Sequence, residues 1–168
     1  KIYVSSLTKK TLSETLREMD FDKKKQVMDI LGTTEIFFKV PEDYWLQMTK
    51  DEIKAVAASD LITIGSHGFY HNDLGRIPVQ EIAWELRASK KFLEELIQKP
   101  VTKIAFPYGS YSSDTITEAI GSGYEQLLAT EFQFPEDRNN DAIRERMGVN
   151  PFISNHNQMY AIIKGKYA

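Results

Sequence analysis

Between residues 49 and 130, short apolar, β-branched runs alternate with longer stretches whose apolar residues recur every three or four positions, and that alternation leaves few folds open. Thr49 followed by Glu52 reads as a capping box, hydroxyl and carboxylate each satisfying a free backbone N–H, and opens a helix carrying Ile53, Val56 and Ala57. Leu61-Ile62-Thr63-Ile64-Gly65 suits a buried parallel strand. Pro78 stands where a first-turn proline is tolerated, and Ile82, Leu86, Phe92, Leu93, Leu96 and Ile97 support a long helix closing near Pro100. Thr102 to Phe106 is the next strand. Ser113 or Asp114 caps a short helix ending at Gly121 or Gly123, and Tyr124 to Thr130 reads as a third strand. Such alternation predicts an α/β fold of parallel β/α units. A closed barrel takes about eight strands and roughly 250 residues, so the expectation is a partial or deformed β/α barrel with an open edge. Its ligands would gather at the C-terminal ends of the strands.

Outside this region the pattern is looser. Leu12, Leu16, Met19, Val27, Ile30 and Leu31 predict one or two amphipathic helices over 11–31, ended by Gly32, with Asp20 or Asp22 capping the second. Thr33 to Leu46, around Pro41, suits an irregular apolar segment. The tail predicts a polar loop from Pro135 to Asp141, a short strand near Met147 to Val149, and a last helix from about Asn157 to Lys164. The 168 residues suffice for a real core and contain no cysteine, which excludes a disulfide framework and a thiolate metal cluster. The 21 basic and 24 acidic residues are interspersed, which argues against a nucleic-acid face. No apolar run approaches the roughly 20 residues of a membrane span. The start, Lys1-Ile2-Tyr3-Val4, lacks the apolar core of a targeting peptide, and the compartment is unknown from these residues.

Polar residues collect directly after two of the predicted strands. The run Gly65 to Leu74 holds two of the three histidines, His67 and His71, four apart. On a helical turn residues i and i+4 share a face, which lets two imidazoles share a divalent ion. The alternative is a pair of ordinary loop residues bonded to the backbone, because a metal site usually needs a third ligand. Asp73, so near on the same loop, fits a supporting role behind the ligands better than ligation. In the second run, Ile104 to Tyr111, Pro107 fixes the chain and Gly109 permits close backbone approach. The Tyr108 N–H can then be held outward as an oxyanion donor, the alternative being a tight turn with packed aromatics. His156 lies in a polar stretch and reads as a surface or helix-cap residue.

In order, spacing and strand-end placement these two segments resemble the NodB-type polysaccharide deacetylases, which are metal-dependent carbohydrate esterases. IGSHGFYHNDL resembles that family's histidine motif, His-Ser/Thr-x-x-His in its commonest form, and FPYGSYS resembles its Pro-Tyr-Gly motif. The resemblance covers about residues 45 to 130, and Arg144 to Asn150 is similar to the arginine-containing final strand of some members. It implies that His67 and His71 bind a divalent metal, zinc foremost. An aspartate from a Thr-Phe-Asp-Asp-Gly-like strand would complete the triad, and a second aspartate there would act as general base. This sequence has no such strand; the nearest imitation, Asp20-Phe21-Asp22, sits in a helical, lysine-rich context. Residues 1–46 instead resemble a helical insertion, and 47–168 the β/α catalytic part of a single domain that starts late relative to the family. Two more departures stand out. Ala105 occupies the place of an arginine that orients the base in many members, and the late Leu-x-His that supplies a general acid is missing.

The resemblance implies, for the complete protein, hydrolysis of N-acetyl or O-acetyl groups on a polysaccharide or glycan precursor; Tyr70, Phe69, Pro107 and Tyr111 would line the sugar, the alternative for the three aromatics being plain core or rim packing. This chain alone is expected to be inactive. The rival expectations are a non-catalytic glycan-binding or scaffold module that has lost the aspartate strand, and a structural metal-binding protein. Nucleic acid and a membrane span are not expected, and oligomeric state is unknown from the sequence.

Overall fold

In the computed structural model, which describes residues 4–32, 46–150 and 152–165, three short strands form an open parallel sheet. They are β1 (Lys103–Ala105), β2 (Gln126–Ala129) and β3 (Ile143–Glu145), in spatial order β1-β2-β3. Ile104, Leu127 and Ile143 pair in register across all three and are fully buried. Two helices, α4 (Val79–Ile97) and α5 (Ser113–Gly121), bring Ile82, Leu86 and Ala119 into the same core. Side chains alternate across a strand, so Ala105 and Leu128 point the other way. They are only partly buried there and line a shallow groove with His67 and Arg146.

Three sequence expectations need correction. The run 61–65 is not a buried strand: Leu61 is 95% exposed, and only Ser66 joins the sheet, bridging to Ile104 through Ser66 N–H to Lys103 O (2.8 Å) and Ala105 N–H to Ser66 O (2.9 Å). Among the described residues no strand lies on its outer side, so the apolar run has nothing to be buried against. The last strand sits at 143–145 rather than near 147–149; a single inward residue, Ile143, suffices because its neighbours Arg144 and Glu145 face solvent. The cap of α5 is Ser112, whose hydroxyl accepts from Thr115 N–H, one residue before the expected position.

The N-terminal pattern resolves into α1 (Leu12–Arg17) and α2 (Phe21–Gly32), and the Asp20 carboxylate caps the second by accepting from Lys23 N–H at 2.9 Å. The Thr49–Glu52 box opens α3 (Lys50–Ala57) as its residues dictate. The long helix α4 ends where Gln98 turns left-handed before Pro100. The final helix, α6 (Asn155–Lys164), begins after Ser154, two residues earlier than the apolar spacing suggests. The expected irregular segment lies, save for Leu46, outside the described residues. No described helix is long and apolar enough to cross a membrane.

Candidate functional site

The loop from Ser66 to Asp73 leaves the sheet beside β1 and folds around a carboxylate. Glu85 projects inward from α4, 1% exposed, on the same stripe as Ile82, Leu86 and Ser89. Its Oε2 accepts from the N–H groups of Phe69 (2.5 Å) and Tyr70 (2.9 Å), and its Oε1 from Asn72 Nδ2 (2.8 Å). Gly68 sits at φ +80°, and a Cβ there would stand 3.2 Å from Glu85 Oε2. Asn72 in turn accepts from Lys24 Nζ of α2 at 3.0 Å. The buried charge therefore has three donors and an amide link to a cation, which is what a carboxylate out of water requires.

That wrapping turns the two histidines toward each other. Their rings meet edge to face with centroids 4.8 Å apart, and His71 takes the left-handed conformation (φ +56°) to get there. His67 Nδ1 lies 2.6 Å from the Ala105 carbonyl. A carbonyl only accepts, so Nδ1 carries the proton, and the lone pair of the neutral ring is on Nε2. Partial burial, though much of the side chain still meets solvent, pushes His67 below the usual imidazole range; the Ala105 hydrogen bond opposes this, and the positive charge available to His71 and Arg146 adds to it. A neutral ring with one nitrogen anchored is the form that ligates a metal. The pair thus fits as two donors of a divalent site, while among the described residues no group of three His, Asp or Glu side chains converges.

Opposite stands the Pro107–Gly109 turn. Tyr108 is left-handed (φ 58°, ψ 6°), and its ring edge packs on His71 at 4.9 Å. The hydrogen bonds of the turn run from Gly109 N–H to Phe106 and from Ser110 N–H to Pro107, leaving the Tyr108 N–H out of them. Gly109 is at φ +66° against Thr130, with no room for a Cβ. Arg146, just past β3, donates to the Phe106 carbonyl at 3.2 Å and lines the groove beside His67.

The other sequence candidates are placed as follows. Asp73 is 2% exposed, and its oxygens are taken by Arg17 Nε (2.6 Å), Arg76 Nε (3.5 Å) and the Gly75 N–H rather than by a histidine ring. Tyr70 is flanked by Phe21 (3.9 Å, 14°) and Trp84 (5.2 Å, 23°), so neither face is free for a sugar ring. Tyr111 takes the core-packing alternative: it is 2% exposed, stacked on Phe106, its hydroxyl donating to Asp137 at 2.5 Å and accepting from Gln133 N–H. Pro107 is buried too. His156 is exposed in the first turn of α6, capped by Ser154 rather than itself a cap. Asp20 and Asp22 belong to the start of α2 and line a cavity with Tyr70 and Trp84. Two residues escaped the sequence reading. Glu85 had a signal, a carboxylate at i+3 between the apolar Ile82 at i and Leu86 at i+4; Arg17, which reaches Asp73 from 56 residues away, had none.

A parallel β/α frame with a histidine pair and a left-handed Pro-Tyr-Gly turn at one end of its sheet defines a protein of the NodB type. The family model for polysaccharide deacetylases matches residues 15–127, and the chain belongs to that family. It is 30% identical over 84 residues to YxkH of Bacillus subtilis (strain 168), whose name assigns it provisionally to the polysaccharide deacetylases; the match spans 50% of this chain and 30% of YxkH. Among solved structures, BC0361, a polysaccharide deacetylase from Bacillus cereus, superposes with a TM-score of 0.57 at 25% identity, over 69% of this chain and 36% of its own. The Streptococcus pyogenes deacetylase PplD, solved in complex with acetate, shares the fold with a TM-score of 0.59 at 21% identity, over 68% of this chain and 50% of its own. The chain therefore spans between 30% and 50% of the length of these relatives.

Proposed function

We propose that the protein, in its complete form, removes acetyl groups from a glycan, with His67 and His71 holding a divalent ion, zinc foremost. The observation that carries this reading is the edge-to-face histidine pair packed against the left-handed Tyr108 turn, in a chain of this family. When bound, such an ion would polarise the acetyl carbonyl and lower a water's pKa towards about 7. The chain's own residues do the rest of what is assigned here. The Ala105 carbonyl fixes the His67 tautomer and leaves the Nε2 lone pair as the one that would hold the ion. The Tyr108 N–H, free of the turn's own hydrogen bonds, serves the negative oxygen that develops on the acetyl carbon; losing one such donor costs about 3 kcal/mol of barrier. Asp73 supports the loop from behind. Two histidines leave such a site short of the carboxylates that would complete it and act as base; the alternative, a glycan-binding module without chemistry, differs in lacking them.

Acetate release from acetylated chito-oligosaccharides by the encoded full-length protein tests the reading. His67→Ala and His71→Ala should each abolish release and His156→Ala should leave most of it. Undiminished release from either of the first two, or loss from the third alone, overturns the assignment. The 168-residue chain by itself should bind zinc weakly and release no acetate.

A further inference from the structure

Four contacts run from the N-terminal helices to the histidine loop and the facing turn. Phe21 stacks on Tyr70, Lys24 donates to Asn72, Arg17 pairs with the buried Asp73, and the Arg17 guanidinium lies over the face of the Tyr108 ring, 4.8 Å from its centroid. The last two belong to one side chain. Nε is spent on Asp73 Oδ2 at 2.6 Å, which anchors the guanidinium where it lies over Tyr108. Tyr108 in turn meets the His71 ring nearly at right angles, and His71 meets His67 in the same way. Asp73, Arg17, Tyr108, His71 and His67 thus form one unbroken series of contacts, in which both Tyr108 and His71 hold left-handed backbones that L residues visit reluctantly.

We propose that Arg17 is a positioning residue of this site: anchored on Asp73, it holds the Tyr108 ring against His71 and so sets the mutual orientation of the histidine pair. The inference rests on the reading of His67 and His71 as a metal pair only for its consequence, not for its geometry. An arginine is needed because a planar fork can engage a carboxylate and lie flat on an aromatic face at once, which an ammonium cannot. Asp73 keeps Arg76 and the Gly75 N–H when Arg17 is removed, so the effect is local rather than a collapse of the loop.

The test uses Arg17→Ala, Arg17→Lys and Asp73→Asn. With three histidines in the chain, the ring-proton NMR signals of His71 can be followed without any metal, those of His156 serving as the internal control. Arg17→Ala should move the His71 signals and leave His156 in place. It should also weaken zinc binding, read by calorimetry, by about tenfold, the low end for groups that orient a ligand from behind. Asp73→Asn should reproduce both effects, the double variant should be no worse than either single one, and Arg17→Lys should restore the melting temperature without restoring the His71 signals. His71 signals unmoved in Arg17→Ala, whatever happens to the melting temperature, overturn the proposal. If the parent protein takes up no zinc, the metal reading falls, and the His71 signals still decide the role of Arg17.

Discussion

Replacing Glu85 should loosen the histidine loop by an amount its hydrogen bonds define. In Glu85→Ala the N–H groups of Phe69 and Tyr70, part-buried, and the buried Nδ2 of Asn72 all lose their acceptor. At about 1–3 kcal/mol for each stranded donor, the cost is about 3–9 kcal/mol, against a typical domain stability of about 5–15 kcal/mol. That variant stands at the edge of unfolding, so Glu85→Gln is the informative one. Its single amide oxygen can still serve Phe69 and Tyr70, but its NH2 then faces the NH2 of Asn72. Flipping Asn72 only turns that NH2 onto Lys24 Nζ, 3.0 Å from the present oxygen. One charge-assisted bond is therefore lost whichever way the amides turn, worth about 1.5–3 kcal/mol. With a urea slope of about 1–3 kcal/mol/M, the unfolding midpoint followed by circular dichroism should fall by about 1 M. Hydrogen exchange at the Phe69 and Tyr70 amides should accelerate by more than at the sheet amides. A midpoint and exchange rates equal to those of the parent protein would refute the argument that the loop is built around this carboxylate.

Three further outcomes follow from the same structure. Burial, and then the hydrogen bond to Asp137, push the Tyr111 hydroxyl up to about 12; the native state therefore keeps a proton that the unfolded chain loses from about pH 10. Stability should fall as pH rises through that window, a slope that urea titrations should find missing in Tyr111→Phe. His67 is shifted the other way, below the ordinary imidazole value, so its contribution is present above about pH 6.5 and is lost as pH falls through the lower native value; His67→Gln should flatten the acid limb of a stability profile between pH 7 and 4. Gly109→Ala places a Cβ against the Thr130 side chain at a left-handed φ of +66°. A cost of about 2–5 kcal/mol is expected, from overpacking and the strained backbone together, and thermal melting that matched the parent protein would contradict the close approach.

The elements most legible in the sequence were those whose signal is local. The Thr49–Glu52 box, the apolar stripe of α4 and the Pro107–Gly109 turn all carry their cause within a few residues. The segment 61–65 shows the opposite case: its composition favours a strand, yet strand formation depends on partners that a local pattern cannot name, and only Ser66 finds one. β3 was displaced in the reading because Arg144 and Glu145 look like loop residues, although a three-residue edge strand asks for only one inward side chain. At the site, the histidine spacing and the turn were visible, but the division of labour among carboxylates was not. Asp73 and Glu85 are both buried, one held by cations and the other by amides, and that difference is made by chain from 48 to 56 residues upstream and from α4.

The same long separations order events in time. As a nascent chain emerges from its N-terminal end, Arg17 must wait for Asp73, 56 residues later, and His67 must wait for the Ala105 carbonyl that fixes its tautomer, 38 residues beyond itself. Neither contact can form before its later residue has been made, whereas each helix needs only its own residues. A chain halted between α4 and β1 would carry both histidines with neither the proton placement nor the facing tyrosine settled. Competence at this end of the sheet is thus a late milestone of folding, reached only when β1 has docked beside Ser66.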